Sequence, residues 1–337
     1  MDALHNPAGV AFCTLRVTYA HISKTFYSAI ESLVAVDMDA YGVKWTDAER
    51  RRTYCLVGCL ILIWICLLYV TGTVLIQPNF VYWGKLIIQN TILAMVFVTC
   101  GCLITFYELK ENYSRKICHI FAYALPVSLH FLWVSGDKSV LPDSIELTWT
   151  CWFQFIPFIA LIKPIRRKSS ILLLAFRAID RTQDRPYTLV WMLSQLLGNY
   201  ISILAFHFYL GLQTNASLVR LALLPMLINV FGDGLAEPVG VRWGKNKYTT
   251  AALWYNGSIC AGRFERSYEG SACVYVVTLL SLIPFRYLFT PTQFAMTMVL
   301  LPIMMTVCEA WAPHTWDNPF LTSVCGAFLI FVHELIP

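Results

Sequence analysis

Apolar runs of about twenty residues, the length of helix that crosses a bilayer, follow one another through almost the whole of this chain. Hydropathy places them near 53–76, 86–107, 117–135, 145–162, 188–210, 218–236, 271–289, 292–312 and 319–336. The longest polar stretches, residues 1 to 52 and 237 to 270, are too short for a nucleotide-binding α/β sheet. Of 337 residues, 58% are hydrophobic and 13% charged, about half the charged share of an ordinary soluble domain. The expected fold class is therefore all-α, a multi-pass transmembrane helix bundle of about nine spans. Any chemistry has to sit on the bundle itself.

Charge distribution orients the bundle. With the N-terminus cytoplasmic, 21 of the 25 Lys and Arg fall in residues 1–52, 108–116, 163–187 and 237–270, leaving only Lys85, Lys138, Arg220 and Arg286 elsewhere. The expected organisation is a cytoplasmic segment, 1–52, and an integral membrane domain, 53–337, with cytoplasmic loops at 108–116, 163–187, 237–270 and 309–319. Leu15, Tyr19, Ile22, Phe26, Ile30 and Leu33 recur at helical spacing, which predicts an amphipathic helix on the cytoplasmic leaflet. A second such segment is expected at 169–180, beside Arg166-Arg167-Lys168, with plain packing as the alternative for both segments. The twelve cysteines are scattered through the apolar runs without zinc-site spacing and read as small buried hydrophobes. Six acidic residues in the first fifty are unlike a plastid transit peptide, which favours an endoplasmic-reticulum-type or bacterial inner membrane. No feature points to nucleic acid.

Ionisable groups at membrane depth are costly and usually face a protein interior or a watery cavity. Here they collect on one side in four pieces distant in sequence. In Gly232-Asp233-Gly234-Leu-Ala-Glu237, the glycines leave the Asp233 carboxylate accessible, and Glu237 lies four residues on, on the same helical face. Two such carboxylates suit Mg²⁺, which prefers oxygen ligands and keeps several waters; a capped helix end is the plainer reading. In Arg263-Phe-Glu-Arg266-Ser267-Tyr-Glu269-Gly270-Ser271, two guanidinium groups, a hydroxyl and a helix start offer a site for phosphate oxygens, or an anchor on anionic headgroups. Glu309 ends the eighth run, and in the turn beyond it Asp317 and Asn318 can orient a hydroxyl, add a metal ligand or serve as a helix cap. Arg115 and His119 stand one helical turn apart at the start of the third run.

Together these residues resemble the CTP-dependent polyprenol kinases, the dolichol, phytol and diacylglycerol kinase group. Gly232-Asp233-Gly234, the spaced Gly240, Gly244 and Lys245, and then Arg266 to Ser271 are similar to that group's paired signature. Glu309, Pro313 and Asp317-Asn318-Pro319 resemble its later motif, and Arg115-Lys116…His119 its early one, in family order over residues 108 to 330. The resemblance implies phosphoryl transfer from CTP to a lipid alcohol. Asp233 and Glu237 would hold Mg²⁺; Lys245, Arg263 and Arg266, with Ser267, Gly270 and Ser271, would face the triphosphate, and Glu269 would orient the basic loop or contribute to metal binding. Asp317 or His119 would handle the acceptor hydroxyl. Arg266 departs from the lysine that many relatives carry before the Ser or Thr. The first two motifs are shared more loosely with phosphatidate cytidylyltransferases, the closest rival. A transporter is the non-enzymatic alternative, but its sites lie near the midplane between repeated halves. Here that depth is nearly free of charge, and no repeat is evident.

Overall fold

The computed structural model describes residues 47–73, 80–133, 144–153, 156–185, 187–213, 218–255, 258–313 and 316–336. The amphipathic helix expected around Leu15 to Leu33 lies outside the described residues. Among the described residues, twelve α-helices follow in chain order: α1 (Asp47–Thr71), α2 (Phe80–Tyr107), α3 (Glu111–Trp133), α4 (Ser144–Phe153), α5 (Lys163–Arg166), α6 (Ser170–Arg177), α7 (Thr188–Gln213), α8 (Leu223–Leu227), α9 (Gly234–Trp243), α10 (Tyr268–Leu282), α11 (Pro291–Trp311) and α12 (Asp317–Leu335). A π-helical stretch, Ile228–Asp233, links α8 to α9.

Among the described residues, seven helical segments are long and apolar enough to cross a membrane: Tyr54–Thr71, Phe80–Tyr107, Thr188–Leu210, Arg220–Trp243, Tyr268–Leu288, Pro291–Trp311 and Asp317–Leu335. All seven coincide with expected runs. The other two expected runs take different forms. The run at 117–135 belongs to α3, whose first turns carry Glu111, Arg115, Lys116 and His119. The run at 145–162 is divided between α4 and a 3₁₀ turn, Ile156–Leu161.

The all-α expectation also needs correction, because the stretch read as a polar loop contains an antiparallel hairpin of β1 (Lys247–Tyr255) and β2 (Ser258–Ser267). Thr, Trp and Tyr are enriched in β1, as suits a pleated surface. The register pairs Lys247 with Ser267 and Tyr255 with Ser258, with an irregularity between Thr250 and Ala252. Gly262, at φ +75°, lies opposite that irregularity and takes a backbone conformation that other residues adopt with strain.

The segment at 169–180 is packed inside rather than laid flat on a surface. Leu173, Leu174, Ala175 and Phe176 of α6 are buried, and α6 lies against α2 so closely that a Cβ on Gly101 would sit 1.9 Å from the Leu174 carbonyl oxygen. Arg166, from the basic run beside this segment, is buried as well. It donates to the Leu161 carbonyl at 2.8 Å, and its guanidinium lies 3.7 Å from the Phe176 ring centre.

Polar groups within the bundle are joined to one another. Asn199 of α7 donates to the Tyr123 hydroxyl of α3 at 3.3 Å and accepts from Thr322 of α12 at 2.6 Å. Asn229 of the π-helical stretch donates to the Asn318 carbonyl at 3.3 Å. These bonds tie four segments together beneath the ends of α3, α7 and α12, where the ionisable residues gather. Each of these bonds offsets the cost of burying the groups that make it.

Candidate active site

Helix directions bring the start of α3, the start of α7, the π-helical stretch and α9, the start of α10, the end of α11 and the start of α12 to one end of the bundle. Lys85, Arg220 and Arg286 fall near the opposite ends of their segments. Three of the four constellations found in the sequence thus supply side chains to a single cavity of about 260 Å³, and the fourth supplies Arg115 and Lys116.

Lys116 is the hub, and sequence reasoning gave it no role. Its Nζ lies 2.8 Å from Asp233 Oδ2 and 3.8 Å from a Glu237 carboxylate oxygen. Asp233 and Glu237 therefore do share a face, as their spacing predicts. Asp233 itself is 9% exposed. Across the cavity, Arg266 of β2 donates to Glu309 of α11 at 3.0 Å, and Glu309 is 6% exposed. Asp317, at the start of α12, accepts from the Gln195 side chain of α7 and from the Asn318 backbone N–H at 2.9 Å. Six carboxylates and four cationic side chains line this cavity.

A second polar cavity of about 410 Å³ adjoins the first and shares Glu237, Glu265, Arg266 and Glu309 with it. Its walls include Gly240, Gly244, Ser267, Gly270 and Ser271. A smaller cavity of about 80 Å³ shares Arg115, Lys116, Asp233 and Asp317 with the first. That smaller cavity is walled by Phe97, Ala122, Tyr123, Phe158 and Leu196 and also meets His119 and Asn318. His119 Nε2 and Asn318 Oδ1 are buried without a hydrogen-bond partner among the described residues.

Several predicted site residues have other duties. Gly232 faces Val274 of α10, and Gly234 faces Ile120 of α3, where an added Cβ would lie 3.1 Å from the isoleucine side chain. Gly234 therefore lets α9 approach α3 closely, whereas at Gly232 an added Cβ would make only ordinary contacts. Gly240 and Gly244 allow α9 to approach Ser267, whose Oγ would stand 2.7 and 2.9 Å from added Cβ atoms. The start of α10 is less open to an anion than expected, because Ser267 Oγ accepts from the Gly270 N–H at 3.1 Å and the Asn246 carbonyl accepts from the Tyr268 N–H at 3.0 Å. Ser271 Oγ is 2.6 Å from the Tyr248 hydroxyl. Glu269 accepts from the backbone N–H groups of Lys245 and Asn246 at 3.0 and 3.2 Å, so it orients the basic loop. Lys245 and Arg263 are exposed, and neither lines these three cavities.

Two contributors lie outside the four constellations read from the sequence. The connection between α6 and α7 holds two ion pairs, Asp180 with Arg185 and Arg181 with Asp184, each at 2.7 Å. It delivers Arg181, Asp184 and Thr188 to the central cavity. Burial holds the Asp180 carboxyl above its usual range, opposed by Arg185 and the Thr188 hydroxyl. The hairpin delivers Ala252 and Phe264, and the Asn256-Gly257 dipeptide between its strands is a strong short-range hairpin signal.

Comparison with protein-family models, with curated proteins and with solved structures found no match to this chain.

Proposed function

We propose that this protein is a membrane lipid kinase that transfers the γ-phosphoryl group of CTP to the hydroxyl of an isoprenoid alcohol or diacylglycerol at the cytoplasmic membrane face. The observation that carries the reading is the meeting of Lys116, Asp233, Glu237, Arg266, Glu309 and Asp317 around one cavity, with a wider polar cavity on one side and a small apolar one on the other. CTP as donor rests on the motif resemblance. Exposed aromatics at the same helix ends, Tyr107, Trp243, Tyr268 and Trp311, support an interfacial position, because Trp and Tyr concentrate at headgroup level. A donor from the cytosol and an alcohol held in the bilayer meet only at that boundary.

In this reading the nucleotide occupies the glycine-walled cavity, with its terminal phosphate in the central one. Carboxylates outnumber cations there, so a bare triphosphate would be repelled and a magnesium complex accommodated. Among the described residues, no group of three or more His, Cys, Asp or Glu side chains could hold a metal alone. The donor set nevertheless fits Mg²⁺, which is commonly bound by one or two carboxylates together with substrate phosphates. Asp233 and Glu237 would hold it, and when bound it would neutralise charge on the β- and γ-phosphate oxygens.

Lys116 positions both carboxylates, and Arg266, steadied by Glu309, stabilises negative charge on the phosphoryl group in flight. The acceptor's hydroxyl end enters from the apolar cavity. Its oxygen forms the new bond to the γ-phosphorus as the bond from that phosphorus to the bridging oxygen breaks and CDP leaves. The hydroxyl proton passes to Asp317, which borders both the central and apolar cavities, while His119 Nε2 orients the alcohol. Purified protein with magnesium, γ-labelled CTP and polyprenol, phytol or diacylglycerol should yield labelled lipid phosphate, and Asp233→Asn should abolish it. Pyrophosphate release on phosphatidate, with no label transfer to any alcohol, would replace the kinase by a cytidylyltransferase.

A further inference from the structure

The hairpin reaches beyond what the cavity needs. Its base supplies Phe264, Glu265 and Arg266 to the site, and Ala252 is buried beside Ala310, Ala312 and Pro313 at the end of α11. Two residues further along β1, on the same face of the strand as Ala252, stands Trp254, paired across the ladder with Ile259. Protein contact has largely ceased there: Trp254 is 50% exposed and Ile259 72%.

Leu300, Ile303, Val307 and Trp311 of α11 recur at three- and four-residue steps and are all exposed, forming an apolar stripe that ends at Trp311, beside the Ala310 and Ala312 that line the central cavity together with Ala252. A soluble protein rarely leaves so large an apolar surface bare, and on a spanning helix the stripe faces lipid. Trp254 and Ile259 are an indole and an aliphatic side chain exposed on the hairpin whose base meets that end of α11, and indole rings favour the headgroup zone.

We infer that the distal end of the hairpin seats Trp254 and Ile259 in the interfacial zone of the bilayer, so that lipid holds the strand carrying Arg266 over the central cavity. The inference rests on the membrane placement proposed above, and its test separates the two. The photoreactive residue p-benzoylphenylalanine is introduced in turn at Ile259, at Val299 in α11 as a lipid-facing control, and at Glu265 as an exposed control near the hairpin base. Each full-length variant is reconstituted into vesicles of phosphatidylcholine and phosphatidylglycerol, irradiated and analysed by mass spectrometry. Lipid adducts at 259 in yield comparable with 299, and absent at 265, are expected. Adducts at 299 but not at 259 would overturn the hairpin's seat and leave the membrane placement standing. A crosslink from 259 to another protein chain would overturn it in favour of a protein partner, and absence of adducts at 299 would remove its basis altogether.

Discussion

Replacing Lys116 with methionine tests the hub of the site. At 2.8 Å from Asp233, its charge gains about 6 kcal/mol of Coulomb energy at an effective dielectric of about 20. Desolvating two charges takes back several kcal/mol for each ion, so the intact pair adds little net stability. Breaking it is different: Lys116→Met leaves Asp233, Glu237 and Asp317 facing one another without the central cation, an expected loss of about 3–5 kcal/mol. Asp233→Asn should be milder, because Lys116 keeps Glu237 at 3.8 Å. The double variant Lys116→Met/Asp233→Asn removes both charges and should recover most of the loss, although it will be inactive. The assay is the fraction of monodisperse protein remaining after heating in mild detergent, without ligand, for all four corners of the cycle. A double variant as unstable as the sum of the two singles would refute the argument, since it would mean that the two side chains do not compensate each other.

Gly101→Ala should largely abolish folded protein, because its Cβ would meet the Leu174 carbonyl at 1.9 Å and a backbone atom cannot turn aside; monodisperse yield from membranes checks this. Gly240→Ala should lower thermal stability through a clash with Ser267 Oγ at 2.7 Å. Adding Ser267→Ala should restore part of it, less about 1 kcal/mol for the lost helix cap, as heating curves of the single and double variants would show. Arg266→Ala should lower kcat, and kcat/KM for CTP with it, by about ten- to a hundredfold, the equivalent of one charged hydrogen bond of about 1.5–3 kcal/mol, and leave KM for the lipid nearly unchanged in steady-state assays.

The apolar runs were legible because a spanning helix must satisfy its backbone internally and so writes its length into consecutive residues. The meeting of Asp233, Arg266, Glu309 and Asp317 was legible for a related reason: an ionisable group near membrane depth stands out against an apolar background, and charge bias places it on one side. What the sequence concealed depends on contacts between distant segments. Helix α6 has the amphipathic pattern of a surface helix, yet Gly101, some seventy residues earlier in the chain, opens the groove that buries it. Lys116 sits in a basic run and looks like a headgroup anchor until two carboxylates more than a hundred residues away close on it. The hairpin carried a local signal in Asn256-Gly257, flanked by Trp and Tyr on one side and Ile on the other, but the surrounding polar composition favoured a loop. Its strands need each other and the end of α11 to form, since an isolated two-stranded hairpin is marginal in water.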